Sequence, residues 1–303
     1  MEADIDIPVN WEGIGTNNPD KSSSNKYLSF GGIFDGDGHT LTIEKGGKAA
    51  FKMVSKATIK NLNIYGEQIE SSGLVSAYPT YSGSYNYDST NEGYKLLYVD
   101  NVTLKSGSKT LDSGFVSGNG SGMATVFIRN SKIEKNVTVG YDKTKSDIGS
   151  FISCLNGVVN GCTSYATVYG VDHVGGIAGT KGQSMGSCSI YDCSFAGNVE
   201  ASGNYVGGIL GSGYIAVSAP NTPCATMSNN VNSGSITGAD CVGGIFGGEG
   251  YDVECWPNGI GYIFANCSYG QVKATSGTYV GGIIGYMHNL NRYNVICDNY
   301  YTS

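Results

Sequence analysis

Four nearly identical hexapeptides divide the second half of the chain and constrain its fold more than any other feature. Each reads Val-Gly-Gly-Ile, then an apolar residue and Gly, and they begin at Val174, Val206, Val242 and Val280. Weaker copies precede them, and equivalent positions are 23 to 41 residues apart if Ala50, Gly73, Gly114, Ser150, Gly176, Gly208, Gly244 and Gly282 are aligned. A repeat this short cannot bury an apolar side alone, so it must stack on its neighbours.

One further short element follows each hexapeptide, and a second often closes the repeat, in a constant order. The first is an apolar residue, a variable residue and then Asn, Asp or Gly, and the second is a short strand such as Ala166-Thr-Val168. Asn, Asp and Gly tolerate the left-handed backbone of a tight corner, and stacked amides can hydrogen-bond along a column. Three short strands per repeat predict the coils of a parallel β-helix. The corner positions assigned by this pattern are Asn61, Asn101, Asn130, Gly161, Asp192, Asn229, Asn266 and Asn299.

The composition agrees with an all-β chain and disfavours several functions. Of 303 residues, 47 are Gly and only 14% are charged, against about 25% charged residues in an average domain. The net charge of −7 argues against a nucleic-acid partner, because neutralising phosphates requires a basic surface. No segment is apolar enough for a membrane span, and the N-terminus lacks the apolar core of a signal peptide. We expect no cofactor, no metal and no membrane insertion.

The hexapeptides resemble the GLUG motif of bacterial surface proteins, and the Asn-Cys element resembles that family's companion strand. The stretch from Phe30 to Thr40 resembles the coil that precedes such repeats, although the early hexapeptides lack one Gly. The resemblance spans about residues 11–301 and implies export to the cell surface, with signal and anchor outside this segment. We therefore expect one domain over residues 1–303, a right-handed parallel β-helix of about eight irregular coils. It would comprise a capping coil (1–45) and GLUG-type repeats (46–301), as a monomeric part of a larger protein.

One acidic turn and five of the nine cysteines were weighed as candidate sites. Asp35, Asp37 and His39 share a Gly-rich turn, but the other oxygen ligands of a calcium loop are missing, so a capping turn is expected. Three cysteines, Cys162, Cys193 and Cys267, take the same place in the repeat and should pack in the interior as free thiols. Two others, Cys224 and Cys255, lie in insertions, where either a disulfide or two free thiols is open.

Insertions after the hexapeptides depart most from the repeat and supply the predicted binding residues. The longest run over 77–97, 214–225, 248–263 and 286–295. They enter at one position of the repeat, so they should emerge from one edge of the stack. Aromatic rings beside carboxylates and amides suit a glycan or a peptide, although such loops can equally pack on the coils. The candidate ligand-binding residues are Tyr81, Tyr85, Tyr87, Glu249, Tyr251, Asp252, Trp256, Tyr286 and Arg292.

Two functional hypotheses follow. The first is a non-catalytic, cell-surface or secreted adhesin-like module that binds a glycan or a host or matrix protein through this aromatic edge. The alternative is a carbohydrate-active enzyme, a glycoside hydrolase or polysaccharide lyase on a β-helix. Hydrolysis of a glycosidic bond requires two converging carboxylates, whereas the outward positions of the repeats are expected to be mainly Ser, Thr, Asn and Lys.

Overall fold

The chain folds into parallel strands that stack coil on coil. The structure is a computed structural model and describes residues 1–17, 27–54, 56–76, 96–117, 125–181, 188–213, 223–249, 260–287 and 295–302. Over these residues the secondary structure is strand and turn, without helix, and correspondingly no long apolar helix of membrane-spanning length is found. This confirms the all-β prediction and is consistent with a β-solenoid.

The strands belong to four parallel sheets and one antiparallel pair, Thr16–Asn17 with Tyr27–Leu28. The strands of the largest, which we call the long sheet, are Ile5–Ile7, Ile33–Asp35, Thr40–Ile43, Ala57–Tyr65, Leu96–Leu104, Thr125–Arg129, Lys132–Ile133, Gly157–Asn160, Thr163–Ser164, Cys188–Tyr191, Ser194–Phe195, Pro223–Ser228, Val231–Asn232, Ile260–Phe264, Cys267–Ser268, Val295–Cys297 and Tyr300–Tyr301. Those of the six-stranded sheet are Lys109–Thr110, Thr138–Val139, Thr167–Gly170, Asn198–Ala201, Ser235–Gly238 and Val272–Ala274.

The hexapeptides stack in register but contribute to two narrow sheets rather than the single sheet expected. The first sheet contains Ile148–Gly149, Val174–Gly175, Val206–Gly207, Val242–Gly243 and Val280–Gly281. The second contains Ile152–Leu155, Ala178–Lys181, Leu210–Ser212, Phe246–Gly248 and Ile284–Tyr286. The chain turns between the two sheets at the second Gly and the Ile of each hexapeptide. All pairings in both sheets are parallel, as predicted.

The second Gly of the hexapeptide is required by close stacking. A Cβ placed on Gly208 would lie 2.1 Å from the carbonyl oxygen of Gly244 in the next coil, far inside van der Waals contact. The following Ile points inward, and Ile177, Ile209 and Ile245 are completely buried. Ile283, in the last hexapeptide, is only partly buried against the core. The predicted inward column is therefore confirmed, and it is covered least at the C-terminal coil.

A column of left-handed residues forms one corner of the coils, in the middle of the long sheet. Its members have positive φ values near 50–60°, and six of them are predicted corner residues, from Asn61 to Asn229. In the last two coils the assignment was wrong by one position. Ala265 and Asp298 take the left-handed conformation there, with φ of 54° and 53°. The sequence pattern aligned Phe264 with Met227, whereas in the structure Ile263 is the residue in register with the inward Met227.

The residue after this corner points into the core and forms a second column. Thr163 pairs with Ser194, so Cys162 and Cys193 are equivalent, and both are buried free thiols as expected. Contact between the two thiols, together with burial, raises the pKa of Cys193. The next pairings align Cys267 with Val231, so the prediction for Cys267 was wrong by one residue. Asparagines continue the column instead, at Asn230, Asn266 and Asn299.

These three asparagines form a hydrogen-bonded ladder, which we call the asparagine ladder; Asn230 and Asn266 are completely buried and Asn299 is partly buried. The Oδ1 of Asn266 accepts hydrogen bonds from the backbone N–H and the Nδ2 of Asn230, at 3.1 and 3.0 Å. The Nδ2 of Asn266 donates to the Oδ1 of Asn299 at 2.9 Å and to the carbonyl oxygen of Met227 at 2.8 Å. Because each amide is used from both sides, the ladder fixes the spacing and register of successive coils.

Candidate functional site

The strands that flank the insertions meet at one corner of the stack, which we call the insertion corner. On either side of residues 182–187, 214–222, 250–259 and 288–294, the described strands always belong to the same two sheets, the second narrow sheet before the gap and the long sheet after it. The strands that flank residues 77–95 belong to equivalent positions of an earlier coil. The described residues thus agree with the expectation that the insertions share one edge.

Most residues predicted on this edge lie outside the described part of the chain. These are Tyr81, Tyr85, Tyr87, Tyr251, Asp252, Trp256 and Arg292. The disulfide considered between Cys224 and Cys255 lies outside it too, because the structure does not describe these side chains. Their roles stay predictions.

Glu249 and Tyr286 are described and lie on neighbouring coils. The backbone N–H of Glu249 donates to the carbonyl oxygen of Tyr286 at 3.3 Å. The Glu249 side chain is buried, whereas the Tyr286 ring is half-buried and lies 4.8 Å from the ring of Tyr279. Tyr279 is 50% exposed and was not predicted as a site residue. The edge therefore presents two adjacent tyrosine rings at its C-terminal end.

Next to the insertion corner, the outer surface of the long sheet has several unexpected aromatic rings. In the strands that follow the insertions, side chains alternate between the buried core and the outer surface. Tyr98 pairs with Phe127, and the same row continues through Val158, Ser189 and Thr226 to Tyr262. A second outward row includes Arg129, Tyr191 and Phe264. We call this surface the aromatic face and define it by Tyr98, Phe127, Arg129, Tyr191, Tyr262 and Phe264.

At the N-terminal end of the aromatic face, three side chains form a compact apolar platform. The rings of Tyr98 and Phe127 are parallel within 8° and their centroids are 4.8 Å apart. The guanidinium carbon of Arg129 is 5.7 Å from the centroid of the Phe127 ring. The ring stack spans one strand spacing, so the solenoid-like stacking itself holds the rings in place. Such a platform can contact the apolar face of a ligand while Arg129 donates hydrogen bonds.

Polar side chains at the adjacent left-handed corner bond mainly with one another. The Nδ2 of Asn101 donates to the Oδ1 of Asn61 at 2.9 Å, and Asn61 donates to Asp35 at 3.0 Å. Hydrogen bonds from Asn61, from Lys60 and from the backbone N–H of Asp37 lower the pKa of Asp35 to about 2. These contacts engage Asp35 within the fold, and the role of the turn as a cap stays a prediction. No group of three or more metal-ligating side chains is found where the chain is described.

The aromatic face was not predicted because the outward positions of all the repeats were treated as one class. They were expected to be mainly Ser, Thr, Asn and Lys, which is wrong for the strands that follow the insertions. Alternation within these short strands, as in Leu97-Tyr98-Val99 and Val126-Phe127-Ile128, places an aromatic residue between two buried ones. Assigning inside and outside to each strand separately would have revealed the rings.

Comparison with protein-family models, curated proteins and solved structures found no match to this chain.

Proposed function

We propose that this chain is a right-handed parallel β-helix of about eight coils that serves as a non-catalytic, adhesin-like binding module. In this proposal it is exported to the cell surface or secreted and binds a glycan or a host or matrix protein. The ligand lies along the insertion corner and on the aromatic face beside it. The observation that carries the proposal is the stacked pair of Tyr98 and Phe127, two rings outside the core beside the corner where the strands that flank the insertions meet.

The physical argument concerns which residues the fold needs. A stacked coil requires apolar side chains at inward positions and small residues at close contacts, but it places no such demand on outward ones. Rings at solvent-facing positions give up apolar burial, so a surface with several of them marks a binding surface. In the platform, the Tyr98 and Phe127 rings have the cationic Arg129 beside them. We expect ring contacts rather than charge to dominate binding.

A glycan and mucin array with the purified chain tests the proposal. The informative variant replaces Tyr98 and Phe127 together with Ala. Its matched control replaces Tyr269 and Tyr300, another ring pair on the long sheet with centroids 6.3 Å apart, which lies beyond the left-handed corner. We expect array signals that survive 0.5 M salt and are reduced about tenfold or more in the first variant only.

Two results would contradict the proposal. Equal loss in both double variants would show that the ring pair at this corner has no special role. Turnover of any bound glycan in a product assay would favour the carbohydrate-active enzyme instead. Trp256→Ala extends the test to the insertion edge, since Trp has the largest ring among the predicted residues.

A further inference from the structure

A groove on a different surface of the molecule has the features of a second ligand site. It lies on the outer side of the six-stranded sheet and has a volume of about 490 Å³, within the range of small-molecule sites of roughly 300–1,000 Å³. Its lining comes from four successive coils. At about 4.8 Å per coil the groove extends roughly 14 Å along the stack. The lining residues are Lys143, Tyr169, Gly170, Asn198, Glu200, Ala201, Ser202, Ser235 and Thr237.

The groove has one aromatic wall. Tyr169 is an outward residue in register with Glu200, and Glu200 is in register with Thr237. The ammonium nitrogen of Lys143 lies 3.9 Å from the centroid of the Tyr169 ring, at the end of the groove. Because cation–π contact holds one side of this ring, its orientation is fixed before any ligand arrives.

The polar groups of the groove are not used by the fold. Five other lysines, Lys45, Lys52, Lys60, Lys105 and Lys145, form ion pairs with carboxylates. Glu200 makes no ion pair and its carboxylate has no hydrogen bond to another residue that the structure describes. Four further side chains likewise make no hydrogen bond to another residue that the structure describes: Asn198, Ser202, Ser235 and Thr237. A carboxylate, an amide and three hydroxyls thus remain available in one groove.

We propose that this groove binds a neutral oligosaccharide segment lying across the coils. One positive and one negative side chain leave the lining without net charge, which disfavours polyanionic ligands. Hydroxyls, an amide and a carboxylate match the hydroxyl groups of a sugar, and Tyr169 supplies a ring for its apolar face. The central strands, Thr167–Gly170 and Asn198–Ala201, are paired on both sides, so they have no free edge to bind a peptide as an added strand.

The test is isothermal titration calorimetry of the full chain with neutral hexasaccharides of glucose, N-acetylglucosamine, galactose and mannose. A Ser/Thr/Asn-rich hexapeptide serves as the peptide probe. The variants are Tyr169→Ala, which removes the ring, and Thr237→Arg, which fills the groove from an outward position. The matched control is Tyr165→Ala, because Tyr165 is on the same coil and also has lysines near its ring, at 5.9 and 5.7 Å, but lies outside the groove.

We expect at least one hexasaccharide to bind, with Kd raised about tenfold or more by each groove variant and by less than about twofold in the control. If Tyr169→Ala also lowers the thermal midpoint, Thr237→Arg decides the outcome. No binding of any hexasaccharide, or binding that neither groove variant weakens, would overturn the proposal. Binding of the hexapeptide alone, weakened by Thr237→Arg, would overturn it in favour of a peptide site.

This site is independent of the proposed function on the aromatic face. Replacing Tyr98 and Phe127 should leave hexasaccharide binding in the groove unchanged. If that double variant abolishes binding and the groove variants do not, the ligand belongs to the aromatic face and the groove proposal fails alone.

Discussion

Replacing Asn266 with Leu should destabilise the chain strongly, although the two side chains have the same number and branching of heavy atoms. Asn266 is completely buried and its amide bonds with groups on both neighbouring coils. A Leu side chain keeps the space filled but offers no acceptor to the N–H of Asn230 and no donor to the carbonyl oxygen of Met227. The substitution therefore removes these hydrogen bonds without leaving a cavity.

The expected cost follows from the number of buried groups that lose a partner. The backbone N–H and the Nδ2 of Asn230 lose their shared acceptor, and the carbonyl oxygen of Met227 loses a donor. A buried polar group without a partner costs about 1–3 kcal/mol. Since a ladder relaxes in part around a defect, we expect about 3–5 kcal/mol in the free energy of unfolding.

Urea titration measures this cost, and hydrogen exchange reports where it arises. The backbone N–H of Asn230 should exchange much faster in the variant, because its acceptor, the Oδ1 of Asn266, is gone. The same substitution at Asn160 is the control: its side chain is half-buried, faces outward and makes two bonds of 3.3 Å. That control should cost about 1 kcal/mol or less. Similar costs at both sites, with unchanged protection of Asn230, would refute the idea that the ladder fixes the stacking.

Three further predictions concern stability. Ile245→Ala should lower the free energy of unfolding by about 2–5 kcal/mol, because it leaves a cavity at a completely buried site. Ile283→Ala, in the partly covered last coil, should cost clearly less. Equal costs in urea titrations would contradict the assigned core. Ala265→Gly should stabilise the folded chain by about 1 kcal/mol, because Ala265 has a left-handed backbone conformation that Gly adopts without strain. Its control, Ala274→Gly in a strand, should destabilise the chain. Denaturation midpoints measure both effects. Asp35 has a folded pKa near 2, below its usual 3.8, so its stabilising effect is present above about pH 4 and lost toward pH 2. The thermal midpoints of wild type and Asp35→Asn should therefore differ at neutral pH and converge near pH 2, and a difference that persists there would contradict the assigned contacts.

The repeat made the stacking predictable. An identical hexapeptide must occupy an identical setting in each coil, so Val174, Val206, Val242 and Val280 could be aligned before the structure was known, and they pair in one row. Errors arose where the repeat became ambiguous. In the last two coils the Asn occupies the inward column, after Ala265 and Asp298 at the left-handed corner, so residue type alone did not identify the corner.

The proposed binding surfaces were less predictable for a physical reason. Inward positions are constrained by the core, so their pattern repeats, whereas outward positions are free to differ between coils. Tyr98, Phe127 and Tyr169 therefore belong to no repeated motif, and only the register between coils brings each beside its neighbours. The groove could not be predicted at all, because Lys143 reaches Tyr169 from a turn in another coil.

The same freedom explains why two ligand surfaces can exist on one scaffold. Each coil has separate outward rows on the long sheet and on the six-stranded sheet, and a substitution in one row changes neither the core nor the other row. The aromatic face has stacked rings and one Arg, whereas the groove has one ring, one Lys, one Glu and several hydroxyls. Because the rows share only the buried core between them, variants on one surface should leave binding at the other unchanged. A double-mutant cycle of Tyr98→Ala and Tyr169→Ala, measured on the free energy of ligand binding, tests this independence. A coupling larger than about 0.5 kcal/mol would show that the core transmits strain between the two surfaces.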